Sequence, residues 1–586
     1  MNSRMAFLVF VAYLAAAPFV LSEFYITLMN FIGLATLVVL GLVLLTGAAG
    51  MMSFGQQIFV GFGAYTTAVL TTKYGASPWL ALVLALIVTG IGSLILGSVT
   101  VRLSGHYLPL STIAWGLAIY FVFGNLQVLG KYDGIQDIPP VRVLGWAFDS
   151  AERCYVLIWA ATLSALVAGR NLLDSRYGRA VRAIRFRSTM AESFGVRTAR
   201  LKLLMFVYSA LLAGLSGWLF AHFMLFVSPG AFNVNAGIEY LFMTVIGGTS
   251  HVWGALVGAT VLTLLKEWLK DILPKIFDQS GNYEIIVFGL IMLVILHRAP
   301  NGLIPLFRRL QQKHGIPAQL AKVRTLPRPQ RESFDGPLLA VSGLNKRFGG
   351  LTAVDDISFE ITSGEIVGLI GPNGAGKSTT FNLISGVLRP DSGEIRFKGQ
   401  RIDFLPQHAI ASRGLLRTFQ HVNLVGEMTV LDNVAIGAHL RGRKGSLTAM
   451  LRLDRAEERQ IRLEAAFQLE RVGLQDQLYE AAANLPLGSQ RVMEIARALA
   501  GDPILLMLDE PAAGLRFAEK SALAKLLRQL RQKGVTILLV EHDMEFVMAL
   551  ADRIVVMDFG RKLREGAPKE VQSDPVVVEA YLGSLN

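Results

Sequence analysis

Long apolar runs recur through the first half of this 586-residue chain, and they limit its fold more than any other feature. They lie near 5–21, 24–47, 50–71, 79–101, 108–129, 154–169, 201–226, 239–265 and 284–297. About 20 apolar residues make a helix long enough to cross a bilayer's hydrocarbon core. Lipid offers no partner to a free N–H or C=O, so such runs fold as helices whose backbone bonds close internally. Hydrophobic residues make up 52% of the chain, charged residues only 17%, and mean hydropathy is +0.46. The excess sits in the first half, and from about Pro327 the composition is that of an ordinary soluble domain. Two regimes in one chain predict a multi-domain protein: an N-terminal polytopic α-helical membrane domain over 1–305, a basic linker over 306–337 and a soluble domain over 338–586. Residues 1–21 carry Arg4 before an apolar run but no clear cleavage site, and read as the first span rather than a removed signal.

The soluble half carries Gly371-Pro372-Asn373-Gly374-Ala375-Gly376-Lys377-Ser378-Thr379, the pattern G-x-x-x-x-G-K-[ST]. An apolar run, Glu365–Ile370, precedes it and a helix-like run, Thr380–Leu388, follows. Strand, tight loop and helix start form a phosphate cradle: glycines let successive N–H groups converge, and the helix end adds positive potential. Lys377 reaches the β- and γ-phosphates, and the Ser378 hydroxyl ligates Mg²⁺. A buried parallel strand, Ile504–Leu508, ends in Asp509-Glu510. Asp509 there holds Mg²⁺ through water, and Glu510 polarises an attacking water. A second buried strand, Val535–Val540, ends in Glu541-His542-Asp543, putting His542 within reach of the γ-phosphate. Gln420, after Leu415–Phe419, senses Mg²⁺ and the attacking water. These elements occur in one order at compatible spacing, which predicts an α/β P-loop ATPase.

ATP is cytoplasmic, so everything after Arg298 is expected there. Residues 170–200 carry Arg170, Arg176, Arg179, Arg182, Arg185, Arg187, Arg197 and Arg200 against Asp174 and Glu192, which marks that loop as cytoplasmic as well. Counting spans back puts the N-terminus inside and the 130–153 loop outside. Counting forward requires one of the last three runs to cross an even number of times. The expected one is 239–265, interrupted by Gly247-Gly248-Thr249-Ser250-His251-Val252-Trp253-Gly254. That break is either a pathway-lining loop or a short turn between two helices, and His251 reads as a structural histidine. The net charge of +12 clusters beside apolar segments, so a nucleic-acid partner is not expected. The linker's Pro317, Lys322, Arg324, Arg328 and Arg331 suit a segment near anionic lipid. Few ionisable residues lie within the spans, which favours an apolar or zwitterionic solute. The single cysteine, Cys154, reads as a small buried hydrophobe. In the cytoplasmic loop, Thr189-Met190-Ala191-Glu192 fits a capping box and Gly195 a helix stop. This predicts a helix over roughly 190–194 presenting Met190 and Phe194. Alone it is too short to be stable, so it is expected to dock on the ATP-binding half.

The motif order over 338–586 resembles the nucleotide-binding domain of ABC transporters. Arg417-Thr418-Phe419-Gln420, Glu494-Ile495-Ala496-Arg497-Ala498-Leu499 and Glu510-Pro511-Ala512-Ala513-Gly514-Leu515 are similar to its branched-chain amino acid uptake branch. Ser53-Phe54-Gly55-Gln56, Gly61-Phe62-Gly63-Ala64-Tyr65, Tyr177–Arg185 and Val245-Ile246-Gly247-Gly248 resemble that branch's permease. The resemblance implies Phe348 on adenine, Gly371–Thr379 on the phosphates and Gln420 at the membrane-domain contact. It also implies that Leu485-Pro486-Leu487-Gly488-Ser489 caps a partner's ATP, with Asp509 on Mg²⁺, Glu510 as base and His542 as switch. Thr189, Met190, Glu192 and Phe194 become the coupling helix. Pro486, Ser489 and Arg516 depart from the usual signature and D-loop, and Gln56 stands where the permease branch often has His. An inner-membrane importer of hydrophobic amino acids is implied, working with a second permease, a second ATPase and an extracytoplasmic solute-binding protein. Urea, short amides or aromatic carboxylates are alternative cargoes, and an ATP-gated membrane regulator is an alternative of another class.

Overall fold

The computed structural model describes residues 3–103, 105–143, 145–277, 283–299, 302–304, 326–327 and 334–582. The chain forms two compact units. The first comprises Met1–Leu173 with Ala199–Lys313, and the second Asp174–Thr198 with His314–Asn586. Most of the expected basic linker lies outside the described residues. Its Leu326 packs in the helical core of the second unit, and Leu326 O accepts a hydrogen bond from Arg441 at 3.0 Å.

The first unit is helical. Among the described residues, six helical stretches are long and apolar enough to cross a membrane: Glu23–Ala48, Pro78–Thr100, Tyr107–Asn125, Ala151–Leu173, Thr198–Met224 and Val252–Ile272. Glu23–Ala48 is 89% buried and Pro78–Thr100 only 28%, so the first is central and the second peripheral. A helix apolar on every side suits the centre of a bundle. The only strands here are a small hairpin, β1 (Val141–Val143) with β2 (Trp146–Phe148), among the described residues.

Two apolar runs fold differently from a single continuous helix. The run at 50–71 becomes helical only at Gln56, because Gly50 is left-handed (φ 72°) and the chain stays irregular to Gly55. Its freed backbone groups find local partners: Thr46 Oγ1 donates to Met51 O at 3.0 Å, and Phe54 N–H donates to Thr112 Oγ1 at 3.1 Å. Side chains thus supply what lipid cannot. The run at 239–265 is two helices, Val234–Gly247 and Val252–Phe277, so the glycine-rich break is a short turn. The helices run antiparallel in near backbone contact. A Cβ on Gly247 would sit 1.8 Å from Gly254 O, and one on Gly258 would sit 1.8 Å from Met243 O. Small residues permit this approach where no hydrophobic drive separates helix from lipid.

The second unit holds two sheets. β3 (Leu339–Phe348), β4 (Leu351–Ile361), β6 (Ser392–Phe397) and β7 (Gln400–Arg401) form an antiparallel sheet in the order β4-β3-β6-β7. β5 (Ile366–Ile370), β8 (Leu415–Arg417), β9 (Leu505–Asp509), β10 (Thr536–Val540), β11 (Arg553–Asp558) and β12 (Arg561–Gly566) form the other, in the order β12-β11-β5-β10-β9-β8. All its pairings are parallel except β11 with β12. β5, β9 and β10 are buried along their whole length, as parallel strands covered on both faces must be. Ligands bind such sheets beyond the strands' carboxyl ends, where Gly371, Asp509 and Glu541 emerge.

Gly258→Leu is expected to push the glycine hairpin apart and cost about 1–3 kcal/mol. Gly289→Ala, with nothing near its Cβ position, should be neutral. Thermal unfolding of the detergent-solubilised chain compares the two, and equal midpoints would refute the tight contact.

Candidate active site

The loop after β5 has the backbone that only glycine adopts easily. Gly371 (φ 151°) and Gly376 (φ 94°) bracket it, and a Cβ on them would lie 2.0 Å from Met557 O and 2.3 Å from Ala353 O. The helix Lys377–Ile384 starts where the loop ends. Lys377 Nζ donates to Gly371 O at 2.7 Å and Pro372 O at 2.8 Å. Burial pushes its ammonium below the usual lysine range, while Glu510 and Asp509 pull it back. Near the chain's end, helix Pro575–Leu582 brings Tyr581 to the loop. Burial raises that phenol to about 12, against a hydrogen bond from the Gly371 backbone.

The loop opens on a cleft of about 360 Å³ lined by Phe348, Asn373–Thr379, Gln420, Glu510 and His542, with Leu351–Ala353. Gln420 Nε2 and His542 Nε2 both approach Glu510 Oε1 at 2.9 Å, so the three side chains meet at one oxygen. Glu510 is held from both sides of its backbone. Its N–H donates to Val540 O at 2.9 Å, and its carbonyl accepts from Arg491 Nη1 at 2.7 Å, with φ at 47°. Phe348 ends β3 with its ring half exposed. Asp509 is buried behind the cleft, and its Oδ1 has no hydrogen-bond partner among the described residues. Burial raises its carboxyl, and Arg417 Nη2 at 3.6 Å from Oδ2 opposes that.

Several positioning residues carried no expected role. Arg417 lies between the Phe381 and Phe419 rings at 4.8 and 4.7 Å, donates to Asn382 Oδ1 at 2.8 Å and Ser385 Oγ at 2.6 Å, and is lowered by burial to about 10. It belongs to one of the family-like motifs, but only the folded chain brings it to Asp509. Arg491 stands two residues after the Leu485–Ser489 segment on the same helix, so it ties that helix to Glu510. Glu541 accepts from Ala512 N–H at 2.5 Å and is raised by burial, which clamps the turn after Glu510 to the His542 strand end.

Leu485–Ser489 stand apart from the cleft, at the start of helix Leu487–Ala500. Pro486 is that helix's N-cap residue, and Leu487 is 55% exposed. Arg516 N–H donates to Glu519 Oε2 at 2.8 Å at the start of helix Phe517–Gln532. In the first unit Gln56 is buried, and neither polar atom of its amide has a partner among the described residues.

The short loop helix spans Ser188–Ser193. The expected capping box at Thr189 does not form: the N-cap is Arg187, and Glu192 accepts instead from Thr198 Oγ1. The helix ends as expected at Gly195 (φ 82°). It docks on the ATPase fold of its own unit. Met190 and Phe194 are each 1% exposed, and the Arg497 guanidinium covers the Phe194 ring at 5.2 Å. Arg497 pairs with Glu494 at 2.8 Å, and Glu494 accepts from Asn423 N–H at 2.8 Å, just beyond Gln420. Burial pushes Glu494 up and Arg497 down, and each opposes the other's neutralisation. Before this helix lies another, Arg176–Phe186, whose Arg179 pairs with buried Glu458 at 2.8 Å. Asp174 meets Arg455 at 3.0 Å and Arg462 at 3.1 Å, which hold its carboxyl below the usual range against burial.

Arg417→Ala leaves Asp509 buried without its cation and is expected to cost about 3–5 kcal/mol. Denaturant unfolding of the ATPase fold measures it, and a loss below about 1 kcal/mol would show that Arg417 does not hold this site together.

Residues 24–296 match the family described as the branched-chain amino acid transport system / permease component. Residues 354–513 match the ABC transporter family, and residues 561–584 the branched-chain amino acid ATP-binding cassette transporter family. The high-affinity branched-chain amino acid transport ATP-binding protein LivG of Salmonella typhimurium is 46% identical over 250 residues, 42% of this chain and 98% of that protein. BraF of Pseudomonas aeruginosa, described in the same words, is 43% identical over 250 residues, again 42% of this chain and 98% of its own length. A solved nucleotide-free ATP-binding cassette from an ABC transporter is 32% identical and aligns over 42% of this chain and all of its own, with a TM-score of 0.38. With the permease match before the cassette match in a single polypeptide, the chain belongs to the branched-chain amino acid ABC transporter family as a fused permease and ATPase.

Proposed function

We propose that this chain imports branched-chain, hydrophobic amino acids across the inner membrane as one half of a larger assembly, with 1–305 as permease, 306–337 as linker and 338–586 as motor. The N-terminus and the ATPase domain face the cytoplasm. Its partners are a second permease, a second ATPase and an extracytoplasmic solute-binding protein. ATP lies between two nucleotide-binding domains: Phe348 stacks on adenine, Gly371–Thr379 cradle the phosphates, and Leu485–Ser489 of each domain cap the other's nucleotide. The separation of Leu485–Ser489 from this chain's own cleft supports that division, since each cleft is then completed by the other domain's signature.

Mg²⁺ fits the residues present. Asp509 offers a buried oxygen without a hydrogen bond, and Ser378 and Gln420 add neutral oxygens from the cleft side. Magnesium favours such a sparse protein set, with waters and phosphate oxygens filling its remaining positions. When bound it neutralises charge on the phosphates. Lys377 and the loop N–H groups stabilise the charge that develops as the γ-phosphoryl leaves. Glu510 orients water, Gln420 and His542 fix its carboxylate, and His542 reports the γ-phosphate. Closure on ATP pulls on Asn423, Glu494 and Arg497, and these move Phe194 of the coupling helix.

One observation carries the catalytic part: a carboxylate oxygen 2.9 Å from both Gln420 and His542 at the rim of the phosphate cleft. Glu510→Gln is expected to retain ATP binding and lower hydrolysis by about 10²–10⁴-fold, the usual contribution of a general base. Near-normal turnover would remove Glu510 from this role. Phe194→Ala, in a complex reconstituted with its partners, should preserve ATP hydrolysis and abolish accumulation of leucine, isoleucine or valine. Undiminished uptake would reduce the docked helix to a structural element, and hydrolysis indifferent to every amino acid would favour a regulator over a transporter.

A further inference from the structure

We propose that the segment around 443–453 of the ATPase fold is a lipid anchor that seats on anionic phospholipid headgroups. It lies outside the nucleotide cleft, and the mechanism above makes no use of it. A short helix, Ser446–Met450, runs into Leu451-Arg452-Leu453, where Arg452 turns the chain with a left-handed φ of 62°. Leu447, Leu451 and Leu453 are 65%, 69% and 63% exposed. A cluster of exposed leucines marks an interaction surface in a soluble fold. The charged residues interleaved with them are Arg443, Lys444 and Arg452, all exposed and none in an ion pair among the described residues. Glu457 lies close by, but its carboxylate accepts from the backbone N–H groups of Arg443 and Lys444 at 2.8 and 3.2 Å. Exposed leucines among basic side chains are the composition of a segment lying in a bilayer interface.

Chain continuity argues for lipid as the occupant. Arg176 donates to the carbonyls of His439 at 2.8 Å, Gly442, and Lys444 at 2.6 Å, so it grips the start of this segment. Leu173 is the last residue of Ala151–Leu173, a helix with the length and composition of a membrane span. The chain from Leu173 to Arg176 extends at most about 11 Å. Through Arg176 and three residues of chain the segment is thereby linked to the end of a helix long and apolar enough to span a membrane, and its positive charges match anionic headgroups. This rests on the chain being a membrane protein and not on any role assigned to the cleft residues.

The test uses the full chain in nanodiscs, with Cys154→Ala removing the native thiol and Leu451→Cys carrying an environment-sensitive fluorophore. In discs containing phosphatidylglycerol, nitroxide on lipid headgroups should quench the label and aqueous iodide should not. Pure phosphatidylcholine discs, or the triple change Arg443→Glu, Lys444→Glu and Arg452→Glu, should reverse both results while ATP binding persists. Quenching by iodide alone would make the segment a solvated loop, and quenching by neither agent would mean that protein covers it. Either result overturns the proposal. On the unlabelled chain, hydrogen exchange of the 445–453 amides should slow by about 5-fold or more in anionic discs, the factor expected for a single basic residue at such a surface. Equal rates in both lipids would also overturn it.

Discussion

The buried pair of Glu494 and Arg497 is the joint on which the second unit depends. Both charges are almost fully removed from water, which is tolerable only because they lie 2.8 Å apart and each has a further partner. Glu494 holds the backbone at Asn423, and Arg497 lies over the ring of Phe194. Neither extra contact can move without leaving a buried charge poorly satisfied. The loop after β8 and the docked helix therefore share one rigid connection. The helix carrying both residues also carries Arg491, which holds the carbonyl of Glu510. One helix thus touches the backbone of Glu510, whose carboxylate lines the cleft, and the ring of Phe194 at the end of the docked loop helix.

Satisfaction of polar groups also explains the first unit. Its irregular stretch before Gln56 is tolerated because threonine hydroxyls close the freed backbone groups. Its glycine hairpin lets two helices meet backbone to backbone, which side chains of any size would forbid. In water such features would be modest local choices. In lipid they decide which backbone conformations are possible at all.

Docking of the segment Asp174–Thr198 combines three kinds of contact. Phe194 and Met190 bury apolar surface, Arg179 and Glu458 pair away from water, and Arg176 donates to successive carbonyls. The apolar contacts supply affinity without direction. The buried guanidinium contacts set register, because a misaligned arginine would lose several hydrogen bonds together. A six-residue helix that could not persist alone is held by its surroundings.

Patterns local in the chain were readable before folding. The apolar runs announced helices, the glycine spacing announced a phosphate loop, and buried strands ending in Asp509, Glu510 and His542 announced where charge would emerge. Each follows from short-range sterics, length or periodicity, which the order of residues states directly. The helix stop at Gly195 was legible for the same reason, but the start at Arg187 was not. Glu192 had a choice of partners, and only the folded loop supplied Thr198 to take it. Arg417 beside Asp509, Arg491 beneath Glu510 and Arg497 over Phe194 were equally invisible, since each joins residues distant in sequence. A charged side chain's partner is set by which groups lose water together, and that is decided only when the elements pack.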